Sequence, residues 1–211
     1  MRVLPMFVLA LLLVTAGCAA TPQDAEVPTP AAAMPFNELG RQDAPVTIIE
    51  FTDLQCPYCA RFAATTFPEL RRRYIDTGKL RFTSRDLPLP MHAFALPAAV
   101  AARCAGEQGR FWDYREKLFA SQSRLGTEPY GQLAGELGLD LELFEACRKD
   151  GRQAANVRAD AQLARRSGIG STPSFVIGRI VDGEFQGEIV NGAQPFPVMA
   201  AKIDALLDAA R

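Results

Sequence analysis

Val46-Thr47-Ile48-Ile49-Glu50-Phe51-Thr52-Asp53-Leu54-Gln55-Cys56-Pro57-Tyr58-Cys59 is the stretch on which the fold turns. Val46 to Phe51 is short, β-branched and bounded by Pro45 and the turn-prone Thr52-Asp53, so it reads as a buried strand. Pro57 suits the first position of a helix, where its missing N–H costs nothing. That helix is expected to run to about Tyr74, with Phe62, Phe67, Leu70 and Tyr74 inward and a kink at Pro68. The two thiols therefore sit where a strand hands over to a helix.

That placement gives them their chemistry. Cys56 falls at or beside the N-cap, near unpaired backbone N–H groups and the positive end of the helix dipole. Both favour thiolate over thiol and bring the pKa into a range that reaches roughly 3.5–7.5. Cys59, one turn inside, can close a disulfide with Cys56 and is less exposed. Cys56 is then the sulfur that attacks or is attacked, and Cys59 resolves the mixed disulfide. A zinc site would need two further ligands, and His92, Cys104 and Cys147 are scattered along the chain. An inert structural disulfide is the other alternative. The redox-active pair is the reading adopted, with no metal and no cofactor.

Working outward, Leu80-Arg81-Phe82-Thr83 reads as a second strand ending near Asp86. It should lie parallel to the first, because a right-handed helical crossover joins them. From Met91 to about Gly168 the chain reads as helical. Residues 93–105 carry Leu96, Val100 and Cys104 on one face, and 111–119 carry Phe111, Tyr114, Leu118 and Phe119. Short helices follow near 133–137 and 141–147, and a longer one from 152 to 167 ends at Gly168. Strands are expected at 174–177 and 185–190, around a turn region at 178–183, and a helix at 195–210. The expected class is α/β: a small mixed sheet flanked by helices, with a helical insertion over about 91–168. His92 is given no role, and Arg71-Arg72-Arg73 is read as a solvated helix face.

Composition narrows the function. The chain has 211 residues, 48% hydrophobic and 22% charged, which argues against wholesale disorder and against several domains. Lys+Arg of 23 against Asp+Glu of 24 leaves no basic excess to hold nucleic acid. A single histidine argues against a His-based metal site or a Ser-His-Asp triad.

Residues 1–17 read as a signal peptide. Arg2 gives a positive start, and the apolar run from Val3 to Ala16 is too short to span roughly 30 Å of hydrocarbon comfortably. Thr15-Ala16-Gly17-Cys18 resembles a bacterial lipobox, with Thr15 in place of the usual Leu. Cys18 is expected to be acylated, and the Ala-, Pro- and Thr-rich residues 18–40 to form a tether holding the folded part off the membrane. Ala19 after the cysteine favours an outer membrane where the host has one.

Glu50 to Cys59, Phe111-Trp112-Asp113-Tyr114 and Gly170-Ser171-Thr172-Pro173-Ser174-Phe175 together resemble the DsbA-like branch of the thioredoxin superfamily, from about Pro45 to the C-terminus. The resemblance implies a thioredoxin fold over 41–211, the helical block being that family's insertion. It implies a cis bond at Thr172-Pro173, in a loop lying against the active disulfide and offering backbone groups to substrate, with Thr172 modulating the redox potential. It makes Glu50 a buried acid beneath the disulfide, raised in pKa and able to exchange a proton with Cys59. Cys104 and Cys147, each on an apolar helix face in the insertion, should pair in an oxidising envelope; two buried free thiols are the alternative.

The implied activity is that of an exported thiol-disulfide oxidoreductase working as a disulfide-forming oxidase. Its substrates would be cysteine-containing exported proteins, and a membrane or envelope redox partner would reoxidise it. It would sit at the periplasmic face of a membrane through the lipid at Cys18, and as a monomer, since no separate dimerisation domain is visible. The same residues run in reverse would reduce or isomerise disulfides. A non-catalytic lipoprotein that holds a protein partner is the reading from another class.

Overall fold

A computed structural model describes residues 35–127 and 129–209. The expected signal peptide, Cys18 and the tether as far as residue 34 lie outside them. Five strands form one sheet in the order β1-β3-β2-β4-β5: β1 (Glu38–Leu39), β2 (Val46–Thr52), β3 (Leu80–Asp86), β4 (Ser174–Val181) and β5 (Glu184–Asn191). β2 and β3 run parallel, with Glu50 opposite Ser84. β4 is antiparallel to β2, and β4 and β5 form a hairpin. The sheet is thus mixed, as expected.

Successive strand residues face opposite sides. Val46 and Ile48 accordingly share one face with Phe82, Phe175 and Ile177, packed on Phe62, Phe67, Leu70, Met199 and Ile203. Those last residues come from α1 (Pro57–Thr65), α2 (Phe67–Leu70) and α8 (Phe196–Asp208). On the other face Phe51 and Leu87 meet Ala161, Ala164 and Ile169, with α7 (Arg152–Arg166) laid across them.

The insertion comprises α3 (Ala95–Glu107), α4 (Phe111–Ala120), α5 (Tyr130–Glu136), α6 (Leu141–Lys149) and α7. Its central helix, α3, buries every residue from Ala98 to Gly106, as a helix enclosed by others must. Cys104 of α3 and Cys147 of α6 are joined by a disulfide. The insertion core is continuous with Leu54, Cys56 and Cys59. Arg103 of α3 donates to Asp86 at 2.5 Å and also to Asp160 of α7, while Arg85 donates to Asp160 at 2.7 Å. This charge cluster, buried at Asp86, Arg103 and Asp160, ties β3, α3 and α7 together.

Three elements differ from the sequence reading. The sheet begins before residue 41: Glu38–Leu39 pairs with β3, and the Phe36 ring lies 5.5 Å from Phe111. Residues 35–40 therefore belong to the folded part; a two-residue strand is too short to show alternation. The expected helix over 57–74 breaks at Thr66, between α1 and α2, and ends in a π-helical turn, Arg71–Ile75; Pro68 cannot donate to the turn before it. β4 runs straight through Gly178, which was expected to open a turn. A Cβ there would lie 2.0 Å from the Gln186 carbonyl oxygen, so the glycine serves close strand approach. The reversal falls at Asp182-Gly183, both at positive φ.

Candidate active site

β2 ends at Thr52, and the chain turns through Asp53–Gln55 into α1. Cys56 is the N-cap of that helix and Pro57 its first residue. The turn is fixed by Cys56 N–H donating to the Asp53 carbonyl at 3.0 Å and by Gln55 N–H donating to Asp53 Oδ1 at 2.7 Å. Cys56 and Cys59 are both free thiols and both buried.

The surroundings of the two sulfurs are unequal. Cys56 is pulled down to about 5. The main cause is the Cys59 thiol donating to its sulfur; Thr172 and the backbone N–H groups of Cys59 and Tyr58 add to it, and burial opposes. The helix start contributes as expected, but the neighbouring thiol contributes more. Cys59 is pushed far up, first by burial and then by Cys56 itself; the Thr52 side chain and the Asp53 N–H, 3.5 Å from Cys59 Sγ, pull the other way. At neutral pH this inequality favours a thiolate at Cys56 and a protonated thiol at Cys59.

The Thr172–Pro173 bond is cis. It leads into β4, and the Thr172 carbonyl accepts from Cys56 Sγ at 3.5 Å. The Thr172 hydroxyl is buried with no hydrogen-bond partner among the described residues, and its side chain helps to hold the Cys56 pKa down. Thr172, distant in sequence, is thus brought against Cys56, and Pro173 follows it across the cis bond.

Glu50 lies on β2 and is fully buried. Two side chains hold it there. Arg115 of α4, buried as well, donates from Nη2 to both carboxylate oxygens at 2.7 and 2.9 Å, and Ser84 Oγ donates at 3.2 Å. Burial still holds the Glu50 carboxyl above its ordinary range, against the pull of Arg115 and Ser84. Among the described residues its polar contacts are Arg115 and Ser84, not Cys59. Cys104 and Cys147 lie in the insertion, as a pair apart from Cys56 and Cys59.

Residues 36–191 match the family described as Thioredoxin. The chain belongs to the thioredoxin family. Among solved thioredoxin-fold structures it superimposes on Wolbachia pipientis alpha-DsbA1 with a TM-score of 0.73 and 27% identity, covering 82% of this chain and 92% of that one. Oxidised BdbD of Bacillus subtilis gives a TM-score of 0.68 at 25% identity, covering 82% and 92%. The Na(+)/H(+) antiporter NhaA 3 of Salinispora tropica is 35% identical over 170 residues, 80% of this chain but 25% of the antiporter. The chain thus spans about a quarter of that relative's length.

Three residues of this thioredoxin-family site went unread in the sequence. Arg115 falls on the inward face of 111–119, four residues from both Phe111 and Phe119, and a charge at that phase was the available signal. His92 donates or accepts through Nδ1 at 2.8 Å from Asp53 Oδ2. Gln122 Nε2 donates to the carbonyls of Leu54 and Cys56 at 2.9 and 3.0 Å. For the last two no local pattern exists, because their partners lie 39 and more residues away.

Proposed function

We propose that this chain is a thiol-disulfide oxidoreductase that forms disulfides in exported proteins. The observation that carries the proposal is the unequal pair of sulfurs at the start of α1, with Cys56 lowered to about 5 and Cys59 raised. A substrate thiolate attacks Cys56 Sγ of the oxidised pair; the Cys56–Cys59 bond breaks and Cys59 leaves with the electron pair and takes a proton. A second substrate thiolate then attacks the substrate sulfur of the mixed disulfide, and Cys56 leaves as thiolate. Two electrons have passed from the substrate dithiol to the chain, and an envelope oxidant must remove them. A leaving thiol of low pKa speeds that second step, and its stabilised thiolate makes the disulfide the stronger oxidant.

The Thr172-Pro173 loop offers backbone to an extended substrate, and Glu50, held by Arg115 and Ser84 and not touching Cys59, exchanges a proton with it through a bridging water. The solved relatives named DsbA support the type of chemistry. Export and lipid attachment at Cys18, to the periplasmic face of a membrane, rest on the sequence motif at Thr15 to Cys18.

Equilibration of Cys56–Cys59 with glutathione tests the direction. A potential near the oxidising end of the range, about −120 mV, is expected. A value near −270 mV would overturn the oxidase reading. Exchange that persists in Cys56→Ser would overturn the activity itself.

A further inference from the structure

The turn that carries the two thiols is held from outside by the insertion, and one of those holds reaches the buried sulfur. Asp53 has a fully buried side chain. Its Oδ1 takes the Gln55 N–H at 2.7 Å; its Oδ2 takes the Leu89 N–H at 2.8 Å and meets His92 Nδ1 at 2.8 Å. The carboxylate thus acts as a peg with three donors around it, two of them from the segment leading into α3. The backbone N–H of the same residue donates to Cys59 Sγ. Gln55 Oε1 accepts from the Phe94 N–H at 2.7 Å, so the same segment holds the turn at a second point.

We propose that His92, through Asp53, is a positioning residue for Cys59: it fixes the carboxylate so that the Asp53 amide stays aimed at the buried sulfur. This rests on the thiol-disulfide reading. Its consequence falls on one step. When Cys59 attacks the Cys56–substrate bond, Cys59 Sγ forms a bond to Cys56 Sγ, the substrate sulfur leaves with the electron pair, and negative charge has to be carried on Cys59 just beforehand. An amide N–H held on that sulfur stabilises this charge. Attack by Cys56 on an outside reagent does not need it.

The test measures the two steps separately. Protein reduced and then trapped at Cys56 as a mixed disulfide with a small aromatic thiol releases that thiol when Cys59 attacks; alkylation of free Cys56 by iodoacetamide reports the other sulfur. Loss of one hydrogen bond in a buried site corresponds to about a tenfold change. His92→Ala is expected to slow release about tenfold and leave Cys56 alkylation within about twofold. His92→Asn puts an amide N–H where Nδ1 lies, and is expected to restore release to within about twofold of the parent. Equal release in parent and His92→Ala overturns the proposal, and so does equal slowing in both variants, since that would assign the effect to the ring's bulk. If the parent itself releases no thiol, it is the thiol-disulfide reading that fails.

Discussion

Arg115 of α4 holds Glu50 of β2, its Nη2 2.7 Å from one carboxylate oxygen with both side chains buried. Glu50 therefore has a counter-charge supplied by the insertion, and the insertion shares in setting how readily it keeps its proton.

Removing the arginine tests this. Arg115→Met keeps the length and apolar stem but strands Glu50 in a dry site. The loss at pH 7 should be about 3 kcal/mol, the lower end for breaking a buried pair. Glu50 is already raised, and without Arg115 it rises further. The native state then takes up a proton more readily, so the penalty is largest at high pH and shrinks as pH falls. Urea unfolding at pH 7 and pH 5 reads this out; a penalty of equal size at both would rule out the ionised carboxyl as its source.

Cys56 gives a second pH dependence, of opposite sign. A thiol lowered to about 5 stabilises the reduced native state fully above the free-thiol range near 9. The contribution declines as pH falls and is gone below about 5. At pH 7, two units above the lowered value, it amounts to about 3 kcal/mol. The reduced protein should therefore lose stability relative to the disulfide form between pH 7 and pH 4. Alkylation of reduced protein should show half-ionisation near pH 5, and half-ionisation near 8.5 would refute the assignment.

The Cys104–Cys147 bond closes a long loop, with a sequence separation of 43. The chain-entropy argument gives about 4 kcal/mol for a loop of that size. Cys104→Ala with Cys147→Ala should lower the melting temperature markedly, yet leave the glutathione equilibrium of Cys56–Cys59 unchanged at 25 °C. A shifted equilibrium in the folded variant would show that the two pairs are coupled.

Asp160 anchors both Arg85 and Arg103. Asp160→Ala leaves Arg103 with Asp86 alone and Arg85 without an acid, and should cost about 3 kcal/mol. Asp160→Asn, which keeps an acceptor, should cost less. Denaturant midpoints of the two variants decide it; equal midpoints would mean the charge plays no part.

The strand-to-helix junction at Cys56 was legible because every cue to it is local: β-branched residues, then a proline at N1, then thiols at fixed spacing. The parallel pairing of β2 and β3 followed from handedness, and the hairpin from adjacency. Glu50 could be placed on its strand, and the helical phase of Arg115 points that charge inward, but nothing local says that the two meet across 65 residues. His92 looked idle because a lone histidine has no pattern, and its partner is in the turn before Cys56. Gly178 read as a turn because a strand interior gives no local reason for a glycine; the reason is the carbonyl on the neighbouring strand.

Cys56 and Cys59 rest on the apolar core of the inserted helices, alongside Leu118, Leu125 and Phe144. Evolution can therefore retune the sulfur chemistry by repacking residues far from the motif while its four letters stay untouched. Two chains with identical Cys-Pro-Tyr-Cys sequences can then work as different reagents.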